Sequence, residues 1–524
     1  MSLVPSRVRA LTAGSAVAWL SPIVAALAGL ALAVRAAPDL LGRLGFPLDD
    51  AWIHAVYARE LARSGMLAYN AGVPATGETS PLWALVLTPL HAVAPDVETV
   101  VLGTKLIGFA MHLVGAAWLA KTASRVGGVS VWLAGGAGAL LAIHPDLLAS
   151  SMSGMEVPLA VTVVAGGVAA ATRGRTVAVA CAGALALLAR PEAVVAVVVI
   201  ALLVGPSREG RALITRGGIA ALGAVAALAV MGMRNVAVSG VPLPATFYAK
   251  ASHSPFEVES QVRGFGTLLG GMLLLHPILV GLAVALAFAA LLGRSSRPAH
   301  RMAAALALAG TAFCAVSFAL VRPVDPHAFY HQRYALPGAA LILFALPILV
   351  HAVLAPLGRR LATGLAVASV VVALTVAAAG VPARAARLAN DARNIDDVQV
   401  AFGRALGEEP AARTAWVVDA GASRYFGRPF VVDLMGLNTP EMLDSPQRYL
   451  DAHPPSYLDV FPGWSRVEGE AADSGAPITF ATTTPYTVTS DPRMRQHSLL
   501  RCGPPGSEGR MVVRNRDWPF RCAG

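Results

Sequence analysis

Residues Pro47–Trp83 read PLDDAWIHAVYARELARSGMLAYNAGVPATGETSPLW. The stretch follows the first long apolar run and opens on two adjacent acids, Asp49 and Asp50. It continues with Ile53, Val56, Tyr57 and Leu61 at helical spacing. That spacing predicts a short amphipathic helix with its apolar face laid on a membrane surface. A segment rich in Gly, Pro, Asn and Thr then carries the chain through turns to Trp83. An Asp just ahead of a helical run accepts its free amide protons, which accounts for one acid, most naturally Asp50, and leaves the other over. A pair of acids at a bilayer edge is costly to place, so this loop is the expected seat of chemistry, with Asp49 or Asp50 as a general base.

On either side of the loop lie long apolar runs. The chain has 524 residues, 56% of them hydrophobic and 14% charged, the balance of a polytopic helical membrane protein. About eleven spans are expected, at 13–35, 97–120, 128–144, 157–172, 176–190, 192–206, 213–235, 267–292, 302–321, 333–354 and 361–380. With Arg7 and Arg9 inside, the even-numbered spans return the chain to the cytoplasm at Lys121/Arg125, Arg173/Arg175, Arg208/Arg211/Arg216, Arg294/Arg297/Arg301 and Arg359/Arg360. All five returns are basic, so the net charge of +10 is topological and no nucleic-acid partner is expected. Residues 81–95 contain Pro89 and His91, and counting them as a span would turn those basic loops outward; they read as a second interfacial or re-entrant helix. The run Leu11–Val34 reads as a retained anchor.

The domain expectation is a membrane domain over 1–380, with first outer loop 36–96, and an extracytoplasmic mixed α/β domain over 381–524. In the latter, Trp416–Val418, Pro429–Asp433 and Thr479–Thr489 read as strands with turn ends. Cys181 and Cys314 fall in apolar runs as packing residues, whereas Cys502 and Cys522 can close a disulfide if the tail lies outside the cytoplasm.

The polar candidates gather on the expected outer face. Glu78 stands in the acid-bearing loop, and Glu156 precedes an apolar run, where either the helix dipole or a substrate accounts for it. Arg190 and Glu192 interrupt some thirty apolar residues and must face a cavity, a partner or the membrane interface, unless they simply pair with each other. Tyr248 and Lys250 end the segment VPLPATFYAK, and His331, Arg333 and Tyr334 stand at the tenth span. A single cation at a lipid boundary snorkels; several on one face suit an anionic lipid phosphate. The sequence has no Walker A loop, no HExxH and no CxxC, which leaves nucleotide-driven transport and zinc proteolysis without support; a divalent ion stays open.

With the loop LDDAWIHAVYARELARSGMLAYNAGVPATGETSPLW and the motifs SGMEVPL, LARPEA, SGVPLPATFYAK, HQRYALP and DAGASRYFGRPFVVDLMGLNTPEM, the chain resembles the GT-C superfamily of polyprenyl-phosphate-sugar-dependent membrane glycosyltransferases. Its nearest branch resembles bacterial terminal arabinofuranosyltransferases. The resemblance implies a bacterial inner-membrane enzyme with a polyprenyl-phosphate-linked sugar donor, a cell-envelope glycan or lipid acceptor, and inverting transfer. It also implies that Asp49 or Asp50 is the base and that Lys250 and Arg333 meet the lipid phosphate. Many relatives carry Asn where Ala245 stands. The competing readings are a flippase of lipid-linked sugars, with its acids mid-span, and a membrane-anchored ligand sensor.

Overall fold

Long Ala-, Val- and Leu-rich runs can satisfy their backbone polar groups in lipid only as helices. In the computed structural model they are helices. The model describes residues 6–204, 210–251, 277–292, 297–320, 332–472, 476–488, 492–514 and 516–523. In chain order the first helices are α1 (Ser6–Ala36), α2 (Asp49–Ser64), α3 (Pro81–Val93), α4 (Val97–Val126), α5 (Val131–Ile143) and α6 (Pro145–Ser151). There follow α7 (Val157–Thr172), α8 (Thr176–Ala189), α9 (Ala193–Leu203), α10 (Gly210–Ser239) and α11 (Ala245–Ala251). The last of this series are α12 (Pro277–Leu292), α13 (Pro298–Leu320), α14 (Leu336–Leu354) and α15 (Arg359–Ile395). The chain is thus a polytopic helical membrane protein.

Each expected span falls on a helix over its described residues; 205–206 of the sixth, 267–276 of the eighth and 321 of the ninth lie outside them. Among the described residues six helices are long and apolar enough to cross a membrane, or seven if α5 and α6, bent by 61° between them, count as one span. Helices α7, α8 and α9 have 16, 14 and 11 residues. At ~1.5 Å per residue each falls short of the ~30 Å hydrocarbon thickness, so these three are apolar helices of shorter reach.

The chain forms two compact units. The first comprises Met1–Pro38, Lys105–Ala229 and Pro255–Ala386. Here α1 packs on α5, α13 on α14 and α9, and α7 on α8. Small residues allow the close approaches: a Cβ on Gly310 of α13 or Gly338 of α14 would overlap the other's carbonyl oxygen. Without a hydrophobic drive between helices in lipid, such backbone contact is a main source of packing energy.

The second unit comprises Asp39–Thr104, Val230–Ser254 and Arg387–Gly524. Besides its C-terminal part it draws in the first loop and the segment around α11. After α15 a π-helical turn, Asp396–Val400, leads into α16 (Ala401–Glu408). The strands are β1 (Ala68–Asn70), β2 (Val73–Pro74), β3 (Thr414–Val417), β4 (Phe430–Asp433), β5 (Tyr457–Val460), β6 (Ser465–Gly469), β7 (Ile478–Ala481), β8 (Gln496–Arg501), β9 (Glu508–Val513) and β10 (Arg516–Arg521). A five-stranded sheet runs β4-β3-β5-β8-β7, parallel over its first three strands and antiparallel beyond. A three-stranded sheet runs β10-β9-β6. Trp416, Val432, Leu458, Phe461 and Met511 fill the core of this region. Cys502 and Cys522 are disulfide-bonded, which ties the end of β8 to the end of β10.

Helix α2 lies where the spacing predicts it, but protein covers its apolar stripe, with Ile53 and Leu61 half-buried. Val56 and Tyr57 are fully enclosed within the unit, as are Trp52, Ala55 and Ala58. The apolar stripe expected on a membrane surface is therefore part of a protein core. The Trp52 ring, 4.9 Å from those of Tyr425 and Phe426, shows what covers it.

Candidate active site

The N-cap of α2 is Leu48, in extended conformation and without a side-chain cap. Neither acid caps its own helix, against the expectation for Asp50. Asp49 instead serves another helix, α17 (Ala422–Phe426). Its Oδ2 accepts from the backbone N–H of Gly421 at 2.6 Å and its Oδ1 from that of Ala422 at 2.7 Å. The approach requires glycine: a Cβ on Gly421 would overlap the Asp49 carbonyl oxygen and meet its carboxylate. Asp50, the next residue, is half-buried.

A second acid joins Asp49. The Asp419 carboxyl lies within hydrogen-bonding reach of it and accepts from Gln399 Nε2 at 3.1 Å. Asp459 receives the Val418 N–H at 3.0 Å, and the Tyr69 hydroxyl donates to the Ala420 carbonyl at 2.7 Å, so the turn after β3 is held on every side. Burial raises both Asp49 and Asp419 above the usual carboxylate range. For Asp419 the negative charge of Asp49 adds to the effect, and the rise is large. Two facing carboxyls oppose each other's ionisation.

Glu78 is also buried in this unit. It accepts from His54 Nδ1 at 2.9 Å and from the Ser80 N–H at 2.6 Å, which makes it a holder of its own turn. Beside it the Tyr57 hydroxyl accepts from the Gly77 N–H at 3.0 Å and donates to Asn438 Oδ1 at 3.1 Å. Asn438 in turn donates to Asp433, whose carboxyl is pushed up to about 6 by burial. Tyr248 is half-buried on α11, its ring 5.5 Å from that of Phe247. Lys250 lies on the same helix, and its side chain is outside the described residues. Ala245 is fully buried and its N–H donates to the Thr76 carbonyl at 3.0 Å.

The first unit has its own polar cluster. Arg190 interrupts the run between α8 and α9, and its Nη1 donates to Glu156 Oε1 at 2.9 Å and to the Arg333 carbonyl at 3.0 Å. Its Nε stands 3.5 Å from Glu192 Oε2. Arg333 Nη2 donates to the Tyr334 hydroxyl at 2.9 Å. The Tyr334 ring lies 5.3 Å from the Arg190 guanidinium and 4.9 Å from that of Arg333. Arg190, Glu156, Glu192 and Arg333 are each no more than 6% exposed. Two cations and two anions balance, as burial demands. His331 lies outside the described residues.

The expected residues thus fall into two sets, Asp49, Asp50, Glu78, Tyr248 and Lys250 in one unit and Glu156, Arg190, Glu192, Arg333 and Tyr334 in the other. Sequence reasoning missed Asp419, Gln399 and the His54 contact to Glu78. The signal for Asp419 was the strand-then-turn pattern Trp416–Gly421, which places a residue at the carboxyl end of a buried strand. Among the described residues no group of three or more His, Cys, Asp and Glu side chains could hold a metal ion.

Residues 393–494 match the model of a family described as a domain of unknown function (DUF8728). No curated protein matches the chain. Among solved structures the chain is similar to ArnT from Cupriavidus metallidurans in the apo state, at 15% identity and TM-score 0.54, over 92% of this chain and 98% of that one. It is also similar to the same protein bound to undecaprenyl phosphate, at 15% identity and TM-score 0.51, over 92% of this chain and 99% of that one. The shared feature is the fold.

Proposed function

We propose that the protein transfers a sugar from a polyprenyl-phosphate donor to a cell-envelope glycan or lipid acceptor outside the cytoplasm, with inversion. The observation that carries this reading is the unequal pair at the start of α2. Asp49 has both oxygens committed to backbone amides, while Asp50 beside it is half-buried. On a fold shared with a protein whose solved structure holds undecaprenyl phosphate, the base for the acceptor hydroxyl is drawn from this pair, and Asp50, the more exposed of the two, takes that role.

The chemistry asks for little more. A polyprenyl phosphate is a good leaving group, so one carboxylate base and cations at the departing phosphate suffice. Arg333, Arg190 and Lys250 take the cationic role in this proposal, with Tyr334 orienting both guanidiniums by its ring and hydroxyl. The flippase reading needs acids in mid-span, and Asp49 and Asp50 begin a helix that is not among those long and apolar enough to cross. The C-terminal α/β region is proposed to lie outside the cytoplasm.

The motifs resembling terminal arabinofuranosyltransferases make arabinofuranose the sugar to try first. The test is incubation of the full-length protein in lipid with polyprenyl-phosphate arabinofuranose and a synthetic arabinoside acceptor. Release of polyprenyl phosphate with an inverted anomeric linkage in the product is expected. Absence of transfer from a panel of polyprenyl-phosphate sugars would contradict the reading.

A further inference from the structure

The turn Val418–Gly421 leaves β3, the middle strand of the parallel set β4-β3-β5. The chain goes on to β4 on one side, and β5 lies on the other. In open parallel sheets a ligand is received at this place, outside the carboxyl ends of strands where the winding reverses. In this chain the place is taken by a side chain of the chain itself. Asp49 accepts the amide protons of Gly421 and Ala422, and its backbone comes so close that any Cβ at 421 would collide with it.

The same turn brings Asp419 to the Asp49 carboxyl. Asp419 is half-buried, and Gln399 on the π-helical turn holds it from behind at 3.1 Å. Among the described residues the buried Gln399 Oε1 has no hydrogen-bond partner, and the amide's Nε2 bond to the acid orients it. π-Helical insertions of this kind recur at functional sites because they turn one side chain out of the helical register.

We propose that Asp419 is a positioning residue for sugar transfer, joined to Asp49 by one shared proton so that the first turn of α2, and with it Asp50 as the base, is held in place. The inference rests on the function proposed above and makes the C-terminal region part of the catalytic machinery. Two carboxylates this close do not both ionise, so the Asp49–Asp419 pair carries a single negative charge beside Asp50. Loss of the shared proton would set the Asp49 and Asp419 charges against each other and loosen the docked turn. The titratable groups that face the pair are Asp50 on α2, Tyr69 on β1, and Asp459 on β5. Behind Asp459 stands His497 on β8, with Nδ1 3.1 Å from Oδ1.

The experiment compares Asp419→Ala, Asp419→Asn and Asp50→Asn in the full-length protein in lipid, with donor and acceptor as above. Asp419→Ala is expected to lower kcat roughly tenfold or more while the donor KM stays within about twofold, as for a base displaced rather than removed. Asp419→Asn is expected to restore much of that loss, because its amide donates to Asp49 in place of the shared proton. Its pH profile is expected to lack the alkaline fall that the wild type shows when the proton leaves. Wild-type kcat and pH profile in Asp419→Ala, alongside an inactive Asp50→Asn, would overturn the positioning role and leave the function standing. Full activity in Asp50→Asn would remove the function itself. Should Asp419→Ala fail to fold, a wild-type pH profile in Asp419→Asn would overturn the proposal.

Discussion

At the scale of single residues, Gly421 sets the geometry of the acid site. Its missing Cβ lets the Asp49 backbone and carboxylate reach the turn before α17, and Gly421→Ala would force one of them away. That variant is expected to lower thermal stability and abolish transfer, whereas Gly364→Ala, on α15 with open space around it, is expected to leave both unchanged. Equal melting of the Gly421 variant and the wild type would contradict the account. Arg190 makes a second test. Arg190→Gln leaves Glu156 and Glu192 buried without their cation, which costs about 3–5 kcal/mol, and a further Glu156→Gln is expected to recover part of that loss in a denaturation measurement. Asp433 gives a pH test. Its folded value of about 6 lies above the ordinary 3.8, so the folded protein holds the proton more tightly than the unfolded chain. Its contribution is most favourable below pH 3.8 and is lost as pH rises to about 6. Measured against Asp433→Asn, whose amide does not titrate, the melting temperature of the wild type is expected to fall across that window; a constant difference would contradict the assignment.

At the scale of elements, α2 shows what was legible and what was not. Its limits follow from the turn residues that bracket it, and apolar spacing predicts the helix. Which face is buried depends on what packs against it. Trp52, Val56 and Tyr57 are covered by residues far away in sequence, such as Tyr425 and Asn438, and a pattern read within α2 cannot name that cover. The same limit hid Asp419, since only the parallel pairing of β3 with β4 and β5 carries its turn to Asp49. By contrast the long spans were legible, because an apolar run in lipid has one stable solution and needs no partner to declare it. The disulfide between Cys502 and Cys522 closes a loop with sequence separation 20. Replacing both cysteines with serine is expected to destabilise the C-terminal region by about 3 kcal/mol. Calorimetry or proteolysis of the paired variant checks this, and an unchanged midpoint would contradict it.

At the scale of the whole molecule, the basic returns predict the direction of the chain. Reporter fusions after Gly127 and Gly174 are expected to report a cytoplasmic position and a fusion after Gly524 an outer one; a cytoplasmic report after Gly524 would place the α/β region on the wrong side for an outer acceptor. The central proposal is that Asp50, at the start of α2, is the base. The most direct measurement is the single-turnover rate of transfer in Asp50→Asn, read together with its melting temperature. The account predicts a rate lower by roughly 10²–10⁴-fold at unchanged melting temperature, as for removal of a general base. A folded Asp50→Asn protein that transfers sugar at the wild-type rate would contradict it.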